Sequence, residues 1–472
     1  MAAALGLAGG GCRVELFEAS PYLGGRAGGF FDAATGHWLD RCQHVTMGCC
    51  TNLADFCCRL GIAGGFARVG RLHFATPEGG RYPFAASRRL PAPLHLVPAL
   101  VNLRYLSLAE RWSIIRALGR LARQRGGAEE TMADWLRRQG QSPRAVERFW
   151  NAVLVSALSE VLERVSVAAA RKVFVDGFLR ARTAWEVSLP AAPLVELYDR
   201  RAGAALAALG VILRRGTRVR TIAGAQAAAQ HLVAWDGRAE PFQAFVLAVP
   251  WRKAARLLDG PLGQALPRVA EAAALPSAPI TAVHLWFDRP PLDGDHAVLV
   301  GGLSQWVFRR RLAPPADRPG SDGGRTAPLE RGGHYCQVVV SAAHTVAGQP
   351  REAVVDAVCG ELARMSPAAA SARRLHARLV TERHAVFSML PGIERLRPPQ
   401  RTAVPNLALA GDWTATGWPA TMEGAVRSGY LAAEAILDHL GRPARRVVPD
   451  LPPAPLAARL FGLSATQPPS EA

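Results

Sequence analysis

Lysine is almost missing from this chain of 472 residues: Lys172 and Lys253 are the only two among 56 basic residues, and the other 54 are arginines. Against 38 acidic residues the formal net charge is +18. A protein that tracks nucleic-acid phosphates gathers cations and stacking aromatics on one element, whereas here Arg is spread from Arg13 to Arg459. Nucleic-acid binding is therefore set aside, and attraction to an anionic membrane surface is the better use of the charge. No uninterrupted apolar run reaches the ~18–20 residues that span a bilayer. The start, Met-Ala-Ala-Ala-Leu-Gly-Leu, lacks the charged n-region of a signal peptide. The eight cysteines show no CxxC spacing, so no metal site is expected, and Cys49, Cys50, Cys57 and Cys58 read as small apolar residues on one helix. A reducing, cytoplasmic location, peripheral on the inner membrane, is the expectation.

What is present is ordinary globular composition, 49% hydrophobic and 20% charged, which excludes disorder, collagen and coiled coil. The length favours two domains. Residues 2–8 read as a helix ending at Gly9-Gly10-Gly11, and Cys12 to Glu18 alternates as a strand. This is the second half of a βαβ unit. In a dinucleotide-binding unit the acid ending the second strand accepts from the adenosine ribose, about 20 residues beyond a glycine-rich phosphate loop. Glu18 fits that position, yet counting back from it leaves no room for the first strand and the loop. Their absence is expected in the fold, from a start assigned too late or from a true truncation, the former being favoured. The alternative is that Glu18 merely ends a strand. Residues 19–26 end in Gly24-Gly25-Arg26, a turn whose backbone can approach a pyrophosphate while Arg26 supplies charge.

A hairpin over 29–39, the run Asp40-Arg41-Cys42-Gln43-His44-Val45 and a helix over 52–60 follow. Residues 90–125 form an amphipathic helical stretch that lies either in a membrane interface or against the core of a cap domain. A helix over 194–209 and strands at 210–213, 218–222 and 245–250 return to the parallel sheet of the amino terminus. The expected division is 1–75, 194–252 and 396–441 for one domain, 76–193 and 253–395 for a substrate or cap domain, and 442–472 for a Pro-rich tail with an apolar patch at 456–463. Residues 313–333 read as a flexible surface insertion.

The strongest signal is carboxyl-terminal. The apolar strand at 407–410 delivers Gly411 and Asp412 to its end, and Thr421, Met422, Glu423 and Gly424 begin a helix whose free N–H groups and dipole face an anion. On these residues, residues 12–50 and 194–250, the chain resembles the FAD-binding parts of the flavin amine oxidase and phytoene desaturase superfamily. Through 40–45, Trp150 to Leu158 and 411–429 it is similar to the squalene-associated, FAD-dependent group that acts as hydroxysqualene dehydroxylase.

The resemblance implies an α/β fold, a Rossmann-like FAD-binding domain with a discontinuous mixed α+β substrate domain. It implies that Glu18 binds the adenosine ribose, that Gly24, Gly25 and Arg26 meet the pyrophosphate, and that Val219 brackets the adenine by its main chain. Gly411 and Asp412 would hold the ribityl or pyrophosphate portion, residues 421–424 would face the flavin, and Cys42, Gln43 and His44 would pass beside the isoalloxazine. The implied reaction removes an allylic hydroxyl from a hydrophobic isoprenoid, with reduced FAD as electron source and an unspecified donor behind it. His44, with Gln43 beside it, is either the group that protonates the leaving hydroxyl or a structural histidine bonded to backbone. Trp413 and Trp418 flank the turn, and 389–392 borders the substrate channel. A carotenoid-type desaturase and a non-catalytic membrane-associated remnant remain as alternatives; an amine oxidase is disfavoured because only Lys172 and Lys253 are available near a flavin.

Overall fold

The structure is a computed structural model that describes residues 1–312 and 333–464. Residues 313–332, expected as a surface insertion, and 465–472 of the tail lie outside the described residues. The chain opens with α1 (Ala2–Ala8) and β1 (Glu15–Glu18), runs through the hairpin β2 (Gly29–Asp32) and β3 (His37–Asp40) to α2 (Thr51–Arg59), and then enters β4 (Leu72–Ala75) and β5 (Arg81–Phe84). Helices α3 (Val97–Val101), α4 (Leu108–Arg123) and α5 (Asn151–Leu158) follow, before β6 (Ile212–Arg215), β7 (Val219–Ala225) and β8 (Phe245–Leu247). Strands β9 (Ser277–Phe287), β10 (His296–Leu299), β11 (Trp306–Arg309), β12 (His334–Val340) and β13 (Arg374–Phe387) come next. The chain closes with β14 (Leu407–Leu409), α6 (Met422–His439) and α7 (Pro455–Phe461).

The expected parallel sheet is present as two separate pairs. β1 runs parallel to β6, with Glu18 opposite Arg215, and β8 runs parallel to β14, with Phe245 opposite Leu407. The pairs are not hydrogen-bonded to each other. Helices α1 and α6 join them instead: Leu7, Val14, Val246, Ala408, Ala410 and Ile436 share one apolar cluster, and Leu5, Leu16, Leu213, Val426 and Tyr430 another. Small residues permit this close approach, since a Cβ on Gly6 would stand 2.7 Å from the Ala433 Cβ and one on Gly429 2.8 Å from the Ala2 Cβ.

The substrate half is built on a seven-stranded mixed sheet in the order β13-β9-β12-β11-β10-β4-β5. Because β4 pairs with β10, residues 72–75 belong to this sheet, and the expected boundary at 75 falls too late. Trp150, just before α5, is fully buried against Phe149 and Phe174 and donates to the Gln141 Oε1 at 2.9 Å. The helical stretch expected over 90–125 is interrupted between α3 and α4, where Ser107 caps α4 in a capping box with Glu110. Cys49 and Cys50 precede α2 rather than lying on it, so only Cys57 and Cys58 share a helix.

The tail is not loose where it is described. Val448 exchanges hydrogen bonds with Asn52 of α2, the Arg446 and Val447 N–H groups donate to Glu434 of α6, and Asp450 pairs with Arg427 and Lys172. It straps the two halves together.

Candidate active site

The site is assembled where the parallel strands end. Strand β14 delivers Gly411 in a left-handed conformation, φ +134°, where a Cβ would stand 2.4 Å from the Trp413 indole nitrogen, so only glycine permits the turn. The Ser428 hydroxyl of α6 accepts from the Gly411 N–H at 2.7 Å and locks the turn to that helix. Asp412, next in chain, is 3% exposed. The Arg26 guanidinium reaches it from the other parallel pair, donating to the Asp412 Oδ1 at 2.5 Å and to the Ala385 carbonyl at 2.6 Å. Arg26 follows the Gly24-Gly25 turn, both glycines at positive φ, and its head lies over the Trp251 ring. Two residues distant in sequence and both expected at the cofactor thus meet directly.

Glu18 ends β1 as expected, its Oε1 accepting from the Ser20 N–H at 2.8 Å. Val219 opens β7 immediately beyond β6, and the Glu18 carbonyl accepts from Thr217 at 2.9 Å, so both stand at the same end of one strand pair.

The run after β3 passes beside this corner. Asp40 is fully buried and its partners are all satisfied: Oδ1 accepts from the Leu194 N–H at 2.8 Å, Oδ2 from Arg310 at 2.7 Å, and its carbonyl from Gln337 at 3.2 Å. Gln337 in turn meets His284, whose Nδ1 is 2.9 Å from the Tyr335 hydroxyl. From that anchored end, Cys42 to Met47 are all half-exposed, though Cys42 and His44 are enclosed deeply enough to shift their titration. Burial, with Asp40 adding, pushes the Cys42 thiol up to about 12, so it stays protonated. Gln43 turns its amide to the His44 carbonyl at 3.3 Å.

His44 corrects an expectation. Its Nδ1 lies 2.9 Å from the Cys42 carbonyl, which can only accept, so Nδ1 carries a hydrogen. Burial, aided by the positive charge of Arg26, lowers its pKa below the ordinary 6.5. The imidazole is neutral near pH 7, and its Nε2 presents a lone pair rather than an acidic proton.

At the head of α6, Thr421 caps the helix by accepting from the Gly424 N–H at 3.1 Å, and the first-turn N–H groups of Met422 and Glu423 have no acceptor one turn earlier. Met422 packs its sulfur 3.7 Å from the Tyr198 hydroxyl. Glu423, expected to face the flavin, has its side chain elsewhere. It is fully buried, and its two oxygens accept from the Asn52 N–H, the Asn52 amide and the Leu53 N–H at 2.8–3.2 Å, capping α2. Three donors at a helix N-terminus outcompete a contact with any ligand.

These residues fit a flavin dinucleotide: an acid at a strand end, glycine turns with a paired guanidinium, and a helix head whose first-turn N–H groups are free beside a half-exposed loop. Residues 1–437 match the family of flavin containing amine oxidoreductases. The chain belongs to that family. Its cofactor is FAD and its fold is the Rossmann-like FAD-binding fold of these oxidoreductases. It is 28% identical over 471 residues to the hydroxysqualene dehydroxylase of Sinorhizobium fredii, covering 93% of this chain and 95% of that one. It is 26% identical over 468 residues to the 15-cis-phytoene desaturase of Solanum lycopersicum, covering 91% and 74%. Among solved structures, cyclohexylamine oxidase from Brevibacterium oxydans superimposes with a TM-score of 0.64 at 18% identity, covering 93% and 96%.

Several parts of this oxidoreductase's site were not legible in advance. Arg397, 1% exposed, donates to the Asp412 carbonyl at 2.9 Å and the Thr416 hydroxyl at 3.0 Å, fixing the turn from below. The Ala385 carbonyl and Trp251 hold Arg26; an alanine carbonyl carries no sequence signal at all. Trp413 is fully buried and donates to the Val249 carbonyl at 3.0 Å, tying the turn to β8. Trp418 is packed between Lys172 and Arg427, and Lys172 is bound to Asp176 at 2.7 Å. Lys253 is exposed. At the expected channel border, Met389 is buried and Ser388 donates to the buried Glu160 at 2.6 Å, which also meets His344 at 2.9 Å.

Proposed function

We propose that this FAD-dependent oxidoreductase acts on a long apolar isoprenoid, and that its reaction is the reductive removal of an allylic hydroxyl, hydroxysqualene to squalene. The observation that carries this reading is likeness over 93% of the chain to a protein of that activity, with 95% of that protein covered in turn. The chemistry of the site supports it. Beyond His44 the accessible loop turns apolar, Val45 and Met47 packing against the large cluster that contains Trp150, Phe174, Trp251, Phe387 and Met389. A hydrocarbon chain is desolvated there at no cost in unpaired polar groups.

Bound in its reduced form, FAD would supply both the hydride for the allylic carbon and the proton with which the hydroxyl leaves as water. The chain's own residues position that event. Neutral His44 orients the substrate by accepting its O–H hydrogen at Nε2, and Arg26, paired to Asp412, holds positive charge at the cofactor side. The apolar wall excludes bulk water from the cation formed as the hydroxyl departs.

The second reading, desaturation of a carotenoid precursor, is favoured by the phytoene desaturase likeness. Anaerobic, dithionite-reduced holoprotein given hydroxysqualene should yield squalene with stoichiometric flavin oxidation. Oxidised holoprotein that desaturates phytoene and leaves hydroxysqualene untouched would establish the second reading. A purified chain that retains no flavin would favour the non-catalytic remnant.

A further inference from the structure

Nine large hydrophobic side chains stand exposed among the described residues, and four of them fall on one short stretch: Leu94, Val101, Leu108 and Trp112. Leu108 and Trp112, 71% and 65% exposed, are one turn apart on the same face of α4. A fifth, Leu460, is brought to this place from the tail, because α7 packs on α4: Arg123 donates to the Leu460 carbonyl at 2.9 Å and lies over the Phe461 ring. The apolar patch at 456–463 thus packs on the carboxyl-terminal end of α4, whose amino-terminal turns carry Leu108 and Trp112.

The charge around that surface is one-sided. Residues 86–125 carry eight arginines, at 88, 89, 104, 111, 116, 120, 123 and 125, and one acid, Glu110. Glu110 is consumed by the Ser107 cap and by the Ser142 hydroxyl at 2.9 Å. None of the eight guanidiniums has a carboxylate within 4.0 Å among the described residues, whereas elsewhere Arg137, Arg138, Arg200, Arg201 and Arg214 are all paired. Exposed Leu, Val and Trp beside arginines that have no carboxylate partner match a surface that is apolar inside and anionic at its rim.

We propose that the α3–α4–α7 face docks on an anionic lipid bilayer, with Leu94, Val101, Leu108 and Trp112 entering the interface and the arginines meeting lipid phosphates. A bilayer, rather than a protein partner, is favoured because eight arginines and a single, already engaged acid surround the apolar tips, which suits a uniformly anionic surface. Among the described residues, no helix is long and apolar enough to cross a membrane, so the attachment is to one leaflet. The inner side of the same elements explains the purpose: Leu96, Ala99, Leu100 and Leu103 belong to the apolar cluster that continues to Phe387, Met389 and Trp413 at the site. An isoprenoid dissolved in the bilayer would meet an unbroken apolar body leading to the flavin. That purpose rests on the proposed substrate class; the docking itself does not.

Co-sedimentation of the full chain with vesicles of phosphatidylcholine, alone or mixed with phosphatidylglycerol, tests docking with neither flavin nor substrate in the readout. The expected result is binding to the mixed vesicles at least about 10-fold tighter than to the neutral ones, weakening with salt. The doubly substituted Leu108→Glu, Trp112→Glu protein should lose about 10-fold or more on both, and Arg104→Glu with Arg116→Glu should lose only the preference for anionic lipid. Trp235→Glu, equally exposed but on another surface, should bind as the unaltered chain does. Since all five side chains are exposed, melting temperatures should hardly move. Failure of the unaltered chain to bind either vesicle, or unchanged binding by the Leu108→Glu, Trp112→Glu protein, overturns the proposal. So does a dimer in solution that this pair of substitutions dissolves without effect on vesicles. Product analysis on hydroxysqualene in detergent is independent of all these results.

Discussion

Two buried carboxylates stand on the same strand-to-helix connection and do opposite things. Glu423 is sealed: each of its oxygens is held by donors from α2, and Arg427 lies 3.7 Å away. Asp412 is equally withdrawn from solvent, yet its partner Arg26 keeps about a third of its side chain exposed, beside the half-exposed loop 42–47. Burial of an acid therefore does not mark it as a ligand contact. What distinguishes the proposed cofactor corner is a buried acid whose cation remains reachable; what distinguishes a strut is an acid whose partners are all buried.

The sharpest way to break this contrast is at the sealed end. Glu423→Ala leaves the α2 amides and Arg427 without their acceptor and should destabilise the fold by about 3–5 kcal/mol, read as a fall in melting temperature of the flavin-free protein. A shift of only a degree or two would mean that Glu423 is no strut. A second sealed knot gives a pH signature. Burial, with Arg310 and Arg378 nearby, depresses His284 to about 3, so the folded state keeps it neutral while the unfolded chain protonates it below about 6.5. The folded state then binds fewer protons, and stability is lost as pH falls through that window. Acidification from pH 7 to pH 5 should cost about 2 kcal/mol through this group, and His284→Gln should flatten that part of the melting curve against pH; an unchanged slope would exclude His284 as its source. At the accessible end, His44→Ala should leave melting and flavin content unchanged and slow turnover about 10-fold. Loss of flavin from that variant would place His44 in cofactor retention instead.

Much of this was legible from the residues. The acid at the end of β1, the Gly24-Gly25-Arg26 turn and the Gly411-Asp412 strand end are local patterns, and each appears where the pattern puts it. Glu423 was misread because the same signal, an acid in the first turn of a helix, serves a ligand or a neighbouring helix equally well, and only the position of α2 decides. The two readings of His44 could not be separated from the residues, because the Cys42 carbonyl that fixes its tautomer and the burial that lowers its pKa come from the folded chain. The tail read only as Pro-rich with an apolar patch, because its composition hides its bonds to Asn52, Glu434 and Arg427, all side chains of other elements. Arg397 had no signal, being one arginine among many.

The most direct measurement is a titration of FAD into the flavin-free chain and into its Asp412→Asn variant, following flavin fluorescence, with the melting temperature of each flavin-free protein as control. The expected result is an affinity weaker by about 10–100-fold in the variant, with melting nearly unchanged, because the amide cannot hold Arg26 as the carboxylate does. Equal affinity in the two proteins would contradict the claim that the Arg26–Asp412 corner holds the cofactor.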